Sequence, residues 1–314
     1  MKSKFNIGDQ VLIRQAYPPG HIRTPYFIRG RVGKIVKILG EYANPEELAY
    51  GRNGQPLQSV YSIKFLQKDL WLNYSGMLND TVIVEVMENW LEKHKNSQKP
   101  SNKKPYCNQL PKHSELSNAE SSDISKHVIM AKAVEQLLIK KGLISSNEMK
   151  KMIEKIDSQS PAEGARLVAR SWIDPDFKAR MLNDFRTTAQ EIGIDIGPIQ
   201  IIAIENTNIL HNAIVCTLCS CYPKFLIGLP PEWYKSKNYR SRMIFEPRTV
   251  LAEFGTKISD KVELRIYDST AELRYMILPM QPKNVEGLDE NALARLVTRD
   301  AMIGTSIIKS DHEN

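Results

Sequence analysis

The chain has little cysteine, little aromatic character and no long apolar run. Four cysteines in 314 residues are too few for a disulfide-stapled secreted scaffold. Aromatic residues make up only 8%, and few beyond Tyr26 and Phe27 are placed for base stacking, which argues against nucleic acid as the ligand. No apolar run approaches the about 20 residues of a membrane helix. The start, Met1 to Asn6, runs into a strand-like pattern without the apolar core of a secretory signal. The expectation is a cytoplasmic protein without a membrane partner.

What is present is concentrated. Three of the four cysteines, Cys216, Cys219 and Cys221, fall within six residues. A Cys-x-x-Cys turn brings two thiolates to one point, and the following Cys-Ser-Cys adds a third. The amides of Ser220 and Cys221 lie between the last two sulfurs. If those amides lose their protons, the segment offers three sulfurs and two nitrogens and leaves one octahedral position open. That donor set suits a small trivalent ion, cobalt or iron, better than zinc, which takes four tetrahedral side-chain ligands. A zinc site completed by His211 is the competing reading. A disulfide between Cys219 and Cys221 is disfavoured because neighbours two apart do not meet bridge geometry. Cys107, in a distant polar stretch, is read as incidental.

The formal net charge is +7, which raises the question of an anionic ligand. Much of the lysine sits between Lys93 and Lys112, in a segment rich in Ser, Asn and Pro, where it solvates a connector. The alternation in Gln10 to Ile13, Val32 to Ile38, Val60 to Phe65 and Thr81 to Val86 predicts strands, broken by Pro18-Pro19-Gly20, Asn53-Gly54 and Asn79-Asp80. An all-β, SH3-like barrel over 1–95 follows, then a flexible linker over 96–126. Some such barrels bind RNA, so that class stays open for this half taken alone.

The remainder, 127–314, reads as an α+β domain with helices at its N-terminal side. Val128 to Lys141 is helical and stops at Gly142, Ser145-Ser146 caps a second helix, and Ala162 to Trp172 forms a third. Asp174-Pro175 opens a fourth that continues to Gly193. Strands are expected at Ile201 to Ile204, Ala213 to Val215, Val262 to Tyr267 and Leu273 to Leu278, with a last helix over 290–298.

The run Cys216 to Pro223, with Leu229-Pro230-Pro231-Glu232-Trp233-Tyr234-Lys235, Tyr239-Arg240-Ser241-Arg242, Glu246 to Gly255 and Val297 to Gly304, resembles the metal-binding subunit of the nitrile hydratase and thiocyanate hydrolase family over 127–306. The first module, through Tyr17-Pro18-Pro19-Gly20-His21-Ile22-Arg23-Thr24-Pro25 and Arg29-Gly30, resembles the SH3-like half of the family's other subunit. Tyr61 to Trp71 and Asn79-Asp80-Thr81 look closer to the small barrel subunit of thiocyanate hydrolase.

The resemblance implies metal ligation by Cys216, Cys219, Ser220 and Cys221, with Cys219 as sulfinate and Cys221 as sulfenate. Thr217 matches the cobalt form of the motif, so Co(III) is expected, with Fe(III) as the alternative. Arg23 is implied as the cation facing the oxidised sulfurs, and Cys221, Ser220 and Arg23 as the catalytic group. A second arginine would come from a separate helical partner subunit, hence a hetero-oligomer. Lys224 stands where nitrile hydratases place tryptophan, and Gly197-Pro198-Ile199 stands where they carry a Gln-Gly-Glu segment. Both departures favour a small anion, with Lys224 binding substrate. The implied activity is addition of water to a C≡N group: thiocyanate hydrolysis first, nitrile hydration second. A non-catalytic metal-escort or assembly protein is the alternative from another class.

Overall fold

The computed structural model describes residues 3–20, 22–94, 120–157 and 159–308. Cys107, His21 and most of the expected linker lie outside the described residues. Contacts divide the chain into two compact units, one made of Met1–Ser101 with Ser160–Asn314 and the other of Asn102–Gln159.

Among the described residues, nine strands build the first unit: β1 (Gln10–Ile13), β2 (Val32–Tyr42), β3 (Gln58–Leu66), β4 (Thr81–Met87), β5 (Leu91–Lys93), β6 (Gln200–Glu205), β7 (Leu210–Val215), β8 (Glu263–Asp268) and β9 (Leu273–Leu278). The barrel strands pair antiparallel, and their alternation puts Val11, Ile13, Ile35, Tyr61, Ile63, Val82 and Val84 inside. β2 runs four residues past the expected end. It does so through register shifts between Ile35 and Lys37 and between Ile38 and Gly40, which break the period-two pattern on which the expectation rests.

The barrel does not end as a separate sheet. β4 pairs parallel with β8, Thr81 opposite Arg265 and Val84 opposite Asp268, and β8 pairs parallel with β7. One seven-stranded sheet, ordered β5-β1-β2-β3-β4-β8-β7, thus crosses from the N-terminal to the C-terminal half, beside a parallel pair β6-β9. Parallel neighbours are buried on both faces, and every residue of β7 after Leu210 is buried.

The seam carries a buried ion pair. Arg248 donates Nε and Nη2 to the two oxygens of Asp80, both at 2.7 Å, and Asp80 is fully buried. The Leu264 amide and the Tyr74 hydroxyl also donate to Asp80, so both of its oxygens are satisfied. Phe27 stacks on Trp71 across 5.8 Å, and the Trp71 indole donates to the Ile244 carbonyl. That leaves Phe27 packed within the protein.

The helices follow their caps. Asp174 accepts from the Phe177 amide at 2.9 Å, with Pro175 in the first turn. The expected single helix to Gly193 is two, Pro175–Asn183 and Phe185–Glu191, because Asp184 turns its carboxylate onto the Thr187 amide and hydroxyl and starts a new helix. Between the cysteine loop and β8 come four short helices, Lys224–Ile227, Glu232–Lys235, Lys237–Phe245 and Pro247–Glu253. Gly304 closes a last helix, Arg299–Ile303, at φ +90°, and a Cβ there would sit 2.1 Å from the Asn212 carbonyl oxygen. Only glycine lets this turn lie against β7.

The second unit contains the helices Glu120–Lys140 and Ser146–Asp157. A reciprocal cap opens the latter: Ser145 Oγ accepts from the Glu148 amide, and Glu148 accepts from the Ser145 amide at 2.7 Å. Among the described residues, no helix is long and apolar enough to cross a membrane.

Candidate metal centre

β7 delivers the chain to the carboxyl end of the parallel strands, where the crevice of such sheets forms, and Cys216 is the next residue. The three sulfurs converge there. Cys216 Sγ lies 3.3 Å from Cys219 Sγ, and Cys219 Sγ lies 3.0 Å from Cys221 Sγ. All three fall within 4.8 Å of one another. These separations are far longer than a disulfide bond, and all three cysteines are free. Cys216 and Cys221 are buried, Cys219 is half-buried and Ser220 is exposed.

Outer side chains hold the loop's carbonyls. Arg240 donates Nε to the Cys216 carbonyl and Nη2 to the Thr217 carbonyl, each at 2.9 Å. Tyr234 donates to the Cys221 carbonyl at 2.9 Å, and Tyr239 to the Ile214 carbonyl at 2.8 Å. Asp268, at the end of β8, accepts from the Thr217 amide at 2.8 Å and from its hydroxyl at 2.5 Å. Within the loop the Cys219 amide donates to Cys216 Sγ at 3.3 Å, and the amides of Ser220 and Cys221 lie close enough to favour the Cys219 thiolate.

The electrostatics follow from this geometry. Thiol donation from Cys216 and Cys221 lowers the pKa of Cys219, helped by those two amides. The Cys216 thiol is pushed up because its proton is held on Cys219, and burial adds to the effect. Burial also raises Asp268 to about 7, against the pull of the Thr217 donors. Three convergent sulfurs, with the main-chain amides of Ser220 and Cys221 close to the middle one, fit a metal ion that takes mixed sulfur and nitrogen donors.

His211 does not join them. Its Nε2 lies 2.8 Å from the Gly304 carbonyl and its Nδ1 3.4 Å from the Asn206 amide, and it lies outside the convergent group. The ring packs the far end of β7.

Arg23 lies in the loop before β2, with Nη2 at 3.8 Å from Glu272. Arg29 fixes that loop: its guanidinium donates to the Thr24 and Ala16 carbonyls and lies 4.1 Å from the Tyr26 ring centre. Lys224 opens its short helix with Nζ 5.2 Å from the ring centre of Phe225. The sulfurs are thus brought together by the fold, whereas Arg23 and Lys224 meet Glu272 and Phe225.

Sequence reasoning assigns no role to Arg240, Tyr234, Asp268 or Arg274. Arg274 is the lone charge in the apolar run of β9, and its Nε is buried without a partner; after the Cys216 hydrogen bond, its charge offsets part of the rise that Cys219 and burial impose on the Cys221 thiol. A single arginine in such a strand is the available signal. Asp268 leaves none, since only the pairing of β7 with β8 brings it to Thr217.

Comparison with known proteins places these features. Residues 125–306 match the family model of the nitrile hydratase alpha chain, and residues 1–93 match that of the C-terminal region of the nitrile hydratase beta subunit. The chain belongs to the nitrile hydratase alpha-chain family, a family of metal-dependent enzymes, and carries a beta-type C-terminal module ahead of it. It is 48% identical over 180 residues to the low-molecular weight cobalt-containing nitrile hydratase subunit alpha of Rhodococcus rhodochrous, covering 56% of this chain and 86% of that one. It is 36% identical over 201 residues to thiocyanate hydrolase subunit gamma of Thiobacillus thioparus, covering 60% and 82%. The barrel region is 43% identical over 93 residues to subunit alpha of the same enzyme, covering 29% and 73%. An iron-type nitrile hydratase structure from Comamonas testosteroni Ni1 superposes with a TM-score of 0.56 at 34% identity, over 60% of this chain and 93% of that one.

Proposed function

We propose that this chain is the cobalt-binding subunit of a cytoplasmic enzyme that adds water to a C≡N group, with thiocyanate as substrate. The observation that carries the reading is the triangle of Cys216, Cys219 and Cys221 sulfurs, all within 4.8 Å of one another. These residues would hold Co(III), as the cobalt-containing relative supports; an iron-type neighbour keeps Fe(III) as the alternative. When bound, such an ion supplies Lewis acidity that makes the C≡N carbon electrophilic.

The chain's own groups do the rest. Cys219 acts as sulfinate and Cys221 as sulfenate, forms that an external oxidant such as dioxygen or peroxide installs on the two thiols, taking four electrons from the first and two from the second. Arg23 neutralises that anionic oxygen, since a guanidinium can bridge two oxygens at once. The sulfenate oxygen of Cys221 directs the attacking oxygen to the substrate carbon, and Ser220, exposed on the loop, orients the substrate. Hydrolysis of thiocyanate consumes two waters and releases carbonyl sulfide, ammonia and hydroxide.

Lys224 and the barrel's 43% identity to a thiocyanate hydrolase subunit support the anionic substrate. The 48% identity of the cysteine-loop half to a nitrile hydratase subunit favours a second reading, nitrile hydration to the amide. The match to only the C-terminal region of a beta subunit supports a separate helical partner that supplies a second arginine, in a hetero-oligomer.

Turnover of the cobalt-loaded protein with thiocyanate and with acrylonitrile tests the substrate, and faster hydration of the nitrile overturns thiocyanate. Intact mass with elemental analysis tests the centre. One cobalt per chain and mass increments of about 16 Da per added oxygen are expected.

A further inference from the structure

A cavity of about 30 Å3 lies where the barrel wall meets the start of β9, lined by Arg23, Tyr42, Glu85, Thr270, Glu272 and Leu273 among others. It has room for about one water molecule. Glu85, on β4, is 7% exposed. Its Oε1 accepts from the Ser62 hydroxyl at 3.2 Å and from the Tyr275 hydroxyl. Its Oε2 is buried without a partner in the chain, and so is Arg23 Nε. One oxygen accepts twice and the other nothing, so Oε2 and Arg23 Nε are the two buried polar side-chain atoms on this cavity's lining left without a partner in the chain.

Other charged and titratable groups surround Glu85. Tyr42 comes from β2, Tyr267 and Asp268 from β8, Tyr275 from β9 and Glu272 from the loop before it. Arg265, beyond Tyr267, is already paired with Glu263 at 2.8 Å. Arg23 is the cation that lines this cavity with Glu85, and its guanidinium is paired with Glu272 at 3.8 Å.

We propose that Glu85 is a positioning residue for Arg23, acting across this cavity. While Glu85 is neutral, the guanidinium answers to Glu272 alone among the cavity's carboxyl groups. When Oε2 gives its proton to solvent, the carboxylate draws the guanidinium to the barrel wall. The proposal rests on the reading in which Arg23 serves the oxidised cysteines. Burial raises Glu85 to about 8, so Arg23 is released below that pH and captured above it.

Infrared difference spectra across a pH titration, on cobalt-loaded and metal-free protein, read Glu85 without any turnover. The carbonyl stretch of a buried, protonated carboxyl group should disappear with a midpoint near 8 and be absent from Glu85→Gln. Glutamine keeps an acceptor for Ser62 and Tyr275. Arg23→Gln should raise the midpoint by about one pH unit, because a nearby cation favours the ionised form. An unmoved midpoint in Arg23→Gln, or no such band in the unaltered protein, overturns the proposal. If Glu85→Gln does not fold, the Arg23→Gln shift still decides. In the loaded enzyme the rate should fall about tenfold per pH unit above the midpoint, and Glu85→Gln should lose that fall. Its persistence in Glu85→Gln overturns the proposal as well. A wrong substrate assignment changes only the compound used in the rate measurement, since the infrared result stands without one.

Discussion

The cysteine-loop half and the barrel half place their polar groups in opposite ways. In the first, long side chains reach in from separate helices and strands to hold main-chain atoms: Arg240 and Tyr234 take carbonyls, and Asp268 takes an amide. In the second, carboxylates rise from the barrel itself to meet groups from elsewhere: Asp80 meets Arg248, and Glu85 meets Tyr275. The loop is fixed from several directions, as a ligand set must be before it meets its metal. The barrel wall carries charge that can be changed without moving the loop.

The comparison breaks most severely at the seam. Asp80→Ala strands Arg248, whose side chain is 15% exposed, and removing one member of a buried pair costs about 3–5 kcal/mol. Urea unfolding should show that loss, and a loss within about 0.5 kcal/mol would mean that the halves are held chiefly by the β4–β8 ladder. Asp268→Asn sharpens the contrast at a smaller scale. The carboxylate charge is lost and the Thr217 hydroxyl must turn from donor to acceptor while the sulfurs stay, so metal affinity should drop by about 10–100-fold, as for other partners that orient ligands. Competition against a chelator measures it, and unchanged affinity would show that Arg240 and Tyr234 suffice. Lys224→Trp is the mildest. Removing a half-exposed charge should raise the apparent KM for thiocyanate by about two- to fivefold, and an unchanged KM takes Lys224 out of substrate binding.

Much of this arrangement is legible in the sequence. The alternation in Val60 to Phe65 and Thr81 to Val86 marks barrel strands, Asp174-Pro175 marks a helix start, and the cysteine spacing marks the loop. These are local signals, written in neighbouring residues. The pairing of β4 with β8 is not legible, because it joins residues over 180 positions apart and each strand would look the same with another neighbour. The helices between Lys224 and Glu253 escape because each is four to nine residues long, too short for a periodic pattern. Arg240 and Asp268 act on the loop from 20 to 50 residues away, and nothing beside them in the chain announces their target.

The ladder between β4 and β8 also bears on supply. Where a barrel and a cysteine loop are made as separate chains, a cell must match their amounts, and dilution pulls them apart. Here both arrive on one polypeptide in a fixed ratio of one to one, and they meet at a local concentration set by the tether rather than by expression level.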